Sequence, residues 1–227
     1  DDYSPLSLSI NSVNFIKEKN IWDETLIKSN LIESLYIKLF NSFNTIKIST
    51  SDINLESIGQ VVDKASFLSH LRNLCKKNKN IDVIDNTELD IKQMESLSKI
   101  YLPNESETID FGQLIVTDGA NSKFAEKLNI PYKNINYDQT SYIFNGEYDS
   151  MEKSTAQIFT GKGVFAVLPG NGNKKSIVAT IHNKFIDDFK FESNTVNKNL
   201  LECQLLPYIK NLKNLKLIYK HPCLLYT

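Results

Sequence analysis

The sequence is poor in almost every residue type that announces a specialised chemistry. Its three cysteines (Cys75, Cys203 and Cys223) are odd in number and widely spaced, with no C-x-x-C pair. Free thiols in a reducing compartment are therefore expected, not a disulfide framework or a zinc site. The three histidines (His70, His182 and His221) stand apart, without H-E-x-x-H, and read as surface or structural histidines and not as metal ligands. A basic excess is also missing. Lys plus Arg is 26 against 27 for Asp plus Glu, a net charge of −1, which argues against a nucleic-acid partner. No apolar run approaches the roughly 18–20 residues that cross a bilayer, so only peripheral membrane contact stays open. Arg72 is the one arginine among the 26 basic residues. With abundant Asn and Ile, this reads as the codon bias of an AT-rich genome.

What is present suits a globular chain. Its 227 residues, 41% apolar and 23% charged, are enough for one large domain or two small ones with a real core. Ser9 to Asn20 predicts a helix, with Ser9 as N-cap and Val13 and Ile16 on its apolar stripe. Leu35, Ile37 and Leu39 alternate with other residues up to a polar turn at 41–44, and Thr45 to Thr50 alternates again, the pattern of a β-hairpin. Ile58 to Asp63 reads as a strand. Ala65 to Lys77 reads as a helix burying Phe67, Leu68, Leu71 and either Leu74 or Cys75, with lysines at the end that suits its dipole. Ile81 to Ile84 reads as a strand, and 88–102 as half of a hairpin turning at Pro103 to Ser106. The continuous run Leu114-Ile115-Val116 predicts a buried, parallel-type strand, followed by Asp118-Gly119 and a helix to about Leu128. Beyond Tyr137 the pattern is mostly strand, at 140–148, 156–160, 164–168, 176–182 and 215–220, with one helix at 195–212. The expected fold class is mixed α/β, an α/β part interleaved with a mainly antiparallel sheet.

The D-G pair is the first candidate site. At a strand end, Gly119 lets a ligand approach the backbone, and Asp118 can accept hydrogen bonds from ribose hydroxyls or amides. The helix that follows presents N–H groups suited to a phosphate. D-G is also an everyday turn.

Its surroundings carry more information. L-I-V-T-D-G-A-N-S-K at 114–123 resembles the second fingerprint of flavin aromatic monooxygenases, written L-V-G-A-D-G-A-N-S. Tyr137-Asp138-Gln139 resembles the Y-x-Q that follows it in the ubiquinone-biosynthesis hydroxylases. A-Q-I-F at 156–159 and G-V-F-A-V-L-P at 163–169 are similar to A-x-x-x-F and G-P-x-A-x-L-P, and I-G-Q-V-V-D at 58–63 to G-Q-V-V-E. The opening D-x-x-x-x-S-L-S resembles D-x-R-x-x-A-L-S. Order and spacing agree over nearly the whole chain, so the sequence resembles the FAD-dependent hydroxylases of the UbiH/UbiF/Coq6 type.

This resemblance implies a glutathione-reductase-like FAD domain, here residues 1–30 and 64–130, and a substrate domain whose antiparallel sheet covers the flavin, here 31–63 and 131–227. It implies FAD as cofactor, reduced by NAD(P)H or a reductase, and hydroxylation of a polyprenyl phenol with O2. Neither G-x-G-x-x-G nor the later G-D motif occurs, so the chain reads as the central part of such an enzyme and is expected by itself to hold FAD poorly. Asp118, Gly119, Lys64 and Ser4 are the implied cofactor contacts. Phe159, Phe165, Leu168 and Pro169 are the implied lining of the substrate cavity, although each suits a plain core as well. No catalytic side chain and no metal are required, because the cofactor performs the hard step. The family's arginine falls at Ser4, its small glycine at Val116 and a second arginine at Ala125. These departures keep two other readings in play: a catalytically inactive remnant or assembly subunit, and a flavin monooxygenase for another aromatic substrate. Other ubiquinone-biosynthesis proteins are implied partners. A bacterial cytoplasm, peripheral to the inner membrane, is the expected location, and the matrix side of the mitochondrial inner membrane is the alternative.

Overall fold

A computed structural model describes residues 4–87, 99–101, 108–119, 122–131, 134–148, 153–170, 172–189 and 213–226. The chain divides into two compact units, one of residues 1–77 and 138–223, the other of residues 78–137 and 224–227.

The first unit opens with β1 (Pro5–Ser9), which starts at a proline, a position where a missing N–H costs no ladder bond. Ser9 then caps α1 (Ile10–Glu18), its hydroxyl accepting the Ser12 N–H at 3.2 Å. β1 and β2 (Ser29–Ile32) flank β5 (Gly59–Asp63) in a three-stranded antiparallel sheet of order β1-β5-β2. β5 is buried along Gly59–Val62, and its alternation serves two cores. Val62 packs with Ile27, Phe67, Ile16 and Trp22 under the helices, while Val61 packs with Ile32 and with Leu168 on the other side. α3 (Lys64–Lys77) follows at once. It buries Phe67 and His70, whose Nε2 lies 2.7 Å from Ile21 O. Leu68, expected in that stripe, is half exposed instead. His70 takes the inward position because the Ile21 carbonyl gives it a partner.

The larger sheet has seven strands in the order β12-β8-β11-β10-β9-β3-β4. They are β3 (Ser34–Leu39), β4 (Thr45–Ser49), β8 (Asn134–Glu147), β9 (Ser154–Phe159), β10 (Gly163–Pro169), β11 (Lys174–His182) and β12 (Lys213–Tyr226). β8 to β11 are antiparallel throughout, as the alternation after Tyr137 predicts. The β3–β4 hairpin joins through a parallel pairing of β3 with β9. Its strand ends at α2 (Thr50–Ile53), where the Asp52 carboxylate accepts from Ser49 Oγ at 2.6 Å and Ser49 N–H at 2.7 Å. One face of the sheet is the main core: Tyr142, Phe144, Ile158, Phe165, Val167, Ile177 and Ile181, closed by Phe189 of α5 (Ile186–Phe189). β5, placed by the sequence in the sheet domain of 31–63, pairs with β1 and β2 instead.

The second unit contains the hairpin of β6 (Lys99–Tyr101) and β7 (Thr108–Asp110), and α4 (Lys123–Lys127). Two expected strands are absent. Residues 81–84 and 114–117 are irregular, and Ile115 is 73% exposed. An apolar run becomes a strand only where a neighbour pairs its backbone, and among the described residues no strand pairs with either segment. Asp118-Gly119 thus does not end a strand, and α4 begins four residues after Gly119. The expected helix at 195–212 lies outside the described residues.

Two carboxylates anchor turns and titrate low. The Thr25 hydroxyl, at 2.6 Å, and then the Thr25 amide hold Asp23 below the usual aspartate range. The Ser49 hydroxyl and amide do the same for Asp52. A depressed carboxylate stabilises the fold at pH above its unfolded value and loses that contribution as pH falls through the folded one. Carboxyl 13C titration is expected to give low midpoints for both. Thr25→Ala should move the Asp23 midpoint upward and leave that of Asp52 in place.

Candidate functional site

Strand alternation sorts the anticipated cavity residues onto two faces. β10 is buried at every second position, Gly163, Phe165, Val167 and Pro169. Phe165 and Pro169 therefore lie on the buried face of the strand: Phe165 is fully buried in the main core, with its ring 5.8 Å from that of Phe189. Val164, Ala166 and Leu168 take the opposite face. Leu168 is used there as a packing contact with Ile32 and Val61, so it seals the two sheets together. Phe159, paired with Val164, stays 37% exposed on that face.

This second face is half open and chemically mixed. Register places Phe159, Gln157, Val164 and Ala166 beside two polar pairs between β11 and β8, with the apolar pair Val178–Ile143 between them. Ser141 Oγ and Thr180 Oγ1 are 2.7 Å apart, and Ser176 Oγ donates to Asn145 Oδ1 at 2.6 Å. At the strand end, Gln139 Nε2 lies 3.2 Å from His182 Nε2. On the core side of the same strand end, where Thr140 has the parity of Tyr142 and Phe144, Asn183 Nδ2 donates to Asp138 Oδ1 at 2.8 Å, and Thr140 Oγ1 donates to Asn183 Oδ1 at 2.7 Å. Asp138 adopts a φ of +52°, a conformation few non-glycine residues hold without support. The Y-D-Q motif thus meets His182 on the open face through Gln139, and Asn183 on the core side through Asp138. The sequence reading quoted the motif but missed these two partners, which lie more than forty residues further on. Such a face offers apolar cover for a flat ring and hydroxyls or amides for its polar edge.

The anticipated cofactor residues divide between the units. In the first, Lys64 is exposed at the start of α3, its backbone N–H donating to Ser4 O at 2.9 Å. Asp63 Oδ2 accepts the Ser66 N–H at 3.1 Å, so the chain's own carboxylate occupies that helix start. In the second, Asp118 is exposed and makes no hydrogen bond with the described residues, and Gly119 has a φ of +93° with nothing within 4 Å of an added Cβ. The D-G turn is therefore open to a ligand. α4 is not: Ser122 Oγ already accepts the Ala125 N–H at 2.9 Å, and the helix has five residues. A cavity of about 200 Å³ in the second unit is lined by Ile84, Ile100, Ile109, Phe111 and Leu114. It is smaller than the roughly 300–1,000 Å³ of ordinary ligand sites.

Comparison with solved structures gives the architecture a name. The chain superposes on PqsL of Pseudomonas aeruginosa, described as a probable FAD-dependent monooxygenase, with a TM-score of 0.67 and 10% identity over 96% of this chain and 64% of that one. The tetrameric 2-methyl-3-hydroxypyridine-5-carboxylic acid oxygenase gives 0.67 and 12%, over 97% of this chain and 61% of the other. The chain shares the fold of these two proteins over the part it spans.

Sequence similarity points within that fold as the motifs do. The mitochondrial ubiquinone biosynthesis monooxygenase COQ6 of Caenorhabditis elegans is 26% identical over 172 residues, covering 72% of this chain and 38% of that protein. The chain spans well under half the length of this relative. No protein-family model matches. Among the described residues, no helix is long and apolar enough to cross a membrane.

Proposed function

We propose that this chain is part of an FAD-dependent aromatic monooxygenase that hydroxylates a polyprenyl phenol in ubiquinone biosynthesis. The observation that carries the reading is the similarity to the ubiquinone biosynthesis monooxygenase, found in a chain with the flavin monooxygenase fold. FAD, when bound, supplies the oxygen chemistry, with NAD(P)H or a reductase as electron source. The protein's share is to hold and shield. In the second unit Asp118 would accept hydrogen bonds from cofactor hydroxyls beside the open backbone of Gly119; in the first, Ser4 and Lys64 would offer a hydroxyl and a cation. Phe159, Val164 and Ala166 exclude water above an aromatic ring, and Gln157 and the Ser141–Thr180 pair meet its polar substituents. A polyprenyl substrate places the enzyme beside a bilayer, in a bacterial cytoplasm or on the mitochondrial matrix side, among other proteins of the same pathway.

The test is Asp118→Ala in the complete enzyme of which this chain is part, assayed as substrate-dependent oxidation of reduced nicotinamide with detection of the hydroxylated product. Each charge-assisted hydrogen bond removed is worth roughly 1.5–3 kcal/mol. Turnover should therefore fall at least about tenfold, with the melting temperature unchanged because Asp118 is exposed. Wild-type turnover would return the D-G pair to the status of an ordinary turn. A second reading, a non-catalytic assembly subunit of the same fold, is favoured by one observation: Ser122 and Asp63 already occupy the helix starts where an anionic cofactor would sit. Flavin that stays bound to the complete protein through gel filtration separates the first reading from the second.

A further inference from the structure

The β3–β4 hairpin ends in side chains for which the fold has no use. Phe43 is fully exposed, Leu39 and Ile46 are each 61% exposed, and Phe40 is exposed beside them. Phe159 lies at the same end of the sheet, in register with Leu39. The turn itself is well made. Ser42 N–H donates to Leu39 O at 3.1 Å, Asn44 N–H donates to Ser42 Oγ at 3.1 Å, and Asn41 adopts the left-handed conformation at φ +64°. None of these bonds needs an apolar neighbour. Pairing of Tyr36 with Lys47 and of Lys38 with Thr45 puts both lysines on the face opposite Leu39 and Ile46. From Ser34 to Ser49 there is no acidic residue, and Glu33 at the base is paired with Lys153 at 2.7 Å.

We propose that this hairpin docks on an anionic phospholipid bilayer, with Phe40, Phe43, Leu39 and Ile46 in the interface and Lys38 and Lys47 on headgroup phosphates. The chemistry selects this occupant. Aromatic rings settle at the headgroup level, lysine stems lie along apolar surface while their ammonium groups stay wet, and an anionic leaflet attracts each cation. A projecting apolar turn carrying only positive charge fits a soft negative surface. Lys47 on the outermost strand of the sheet disfavours edge pairing with a second copy. The proposal stands on the hairpin alone and does not depend on the reaction.

The test is co-sedimentation of the chain with vesicles of phosphatidylcholine, with and without phosphatidylglycerol, at low and high salt. Binding should require phosphatidylglycerol and weaken with salt. The double variant Phe40→Ser, Phe43→Ser should reduce the partition coefficient on the order of a hundredfold. Lys38→Gln with Lys47→Gln should reduce it roughly thirtyfold on anionic vesicles and remove the salt dependence. Phe40 and Phe43 sit at the exposed tip, and Lys38 and Lys47 lie beyond Tyr36, the residue through which their strand face meets the core, so melting temperatures should stay close to the wild type. As a second reading, Phe43→Trp in a Trp22→Phe background should shift its emission to the blue on anionic vesicles. Absence of vesicle binding, or equal binding by the phenylalanine variant, would overturn the proposal. So would a dimer in solution that the same variant dissolves, since the hairpin would then belong to a second copy.

Discussion

Phe165→Ala should lower the stability of the sheet unit by about 3–5 kcal/mol, the usual cost of deleting a buried phenyl ring. The ring is fully buried between β10 and α5, in contact with the only helix that closes that core face among the described residues. Nothing adjacent can collapse into the space without moving paired strands, so the cavity persists. Chemical denaturation followed by circular dichroism measures the loss. A ring lining a substrate cavity would behave differently: its removal would leave stability nearly intact and change substrate preference. Phe159→Ala is the matched comparison. Its ring is on the open face, so stability should change by less than about 1 kcal/mol, and any effect should appear in substrate handling.

Gly163→Ala should cost about 3 kcal/mol, from a single methyl group. A Cβ at this position would collide with the Thr180 carbonyl oxygen and press on Ile181 Cα at 2.9 Å. Both are backbone atoms of the adjacent strand, which no rotamer change can move away. β10 and β11 must separate at their first pair, Gly163 with Ile181, and with them the Thr160 turn, whose hydroxyl accepts the Gly163 N–H at 3.0 Å. Gly161→Ala, with nothing within 4 Å of its Cβ, should be near neutral. Thermal unfolding of the two variants side by side distinguishes a steric clash from a general intolerance of the turn.

The second half of the chain is legible because its strands alternate, and alternation is what a sheet with one core face imposes. The hairpin at 34–49 and the Ser9-capped helix are legible for equally local reasons, a period of two around a polar turn and a capping hydroxyl. Leu114-Ile115-Val116 misleads because hydrophobicity states a preference for burial and says nothing of which backbone is beside it. The site divides in the same way. The motifs mark Asp118, Gly119 and the Y-D-Q segment, but Phe165 and Leu168, three residues apart on one strand, lie on opposite faces. Parity alone separates them, and neither residue's chemistry reveals it. His182 and Asn183 meet Asp138 and Gln139 only through the β8–β11 register, which a stretch of sequence does not display.

The parallel seam between β3 and β9 sets an order of events during synthesis. Glu33 and Lys153, at one end of this seam, are 120 residues apart. At ribosomal rates of ~5–20 residues per second, the hairpin leaves the ribosome roughly 6–24 seconds before the strand that will receive it exists. β9, β10 and β11 pair in sequence order and β8 pairs with β11, so these four strands need nothing upstream. Folding of the larger sheet is therefore expected to start near its C-terminal half, with the early hairpin added last. Throughout that interval a lysine-flanked apolar ribbon is exposed with both edges unpaired, and it is there that a nascent chain of this protein most needs a chaperone.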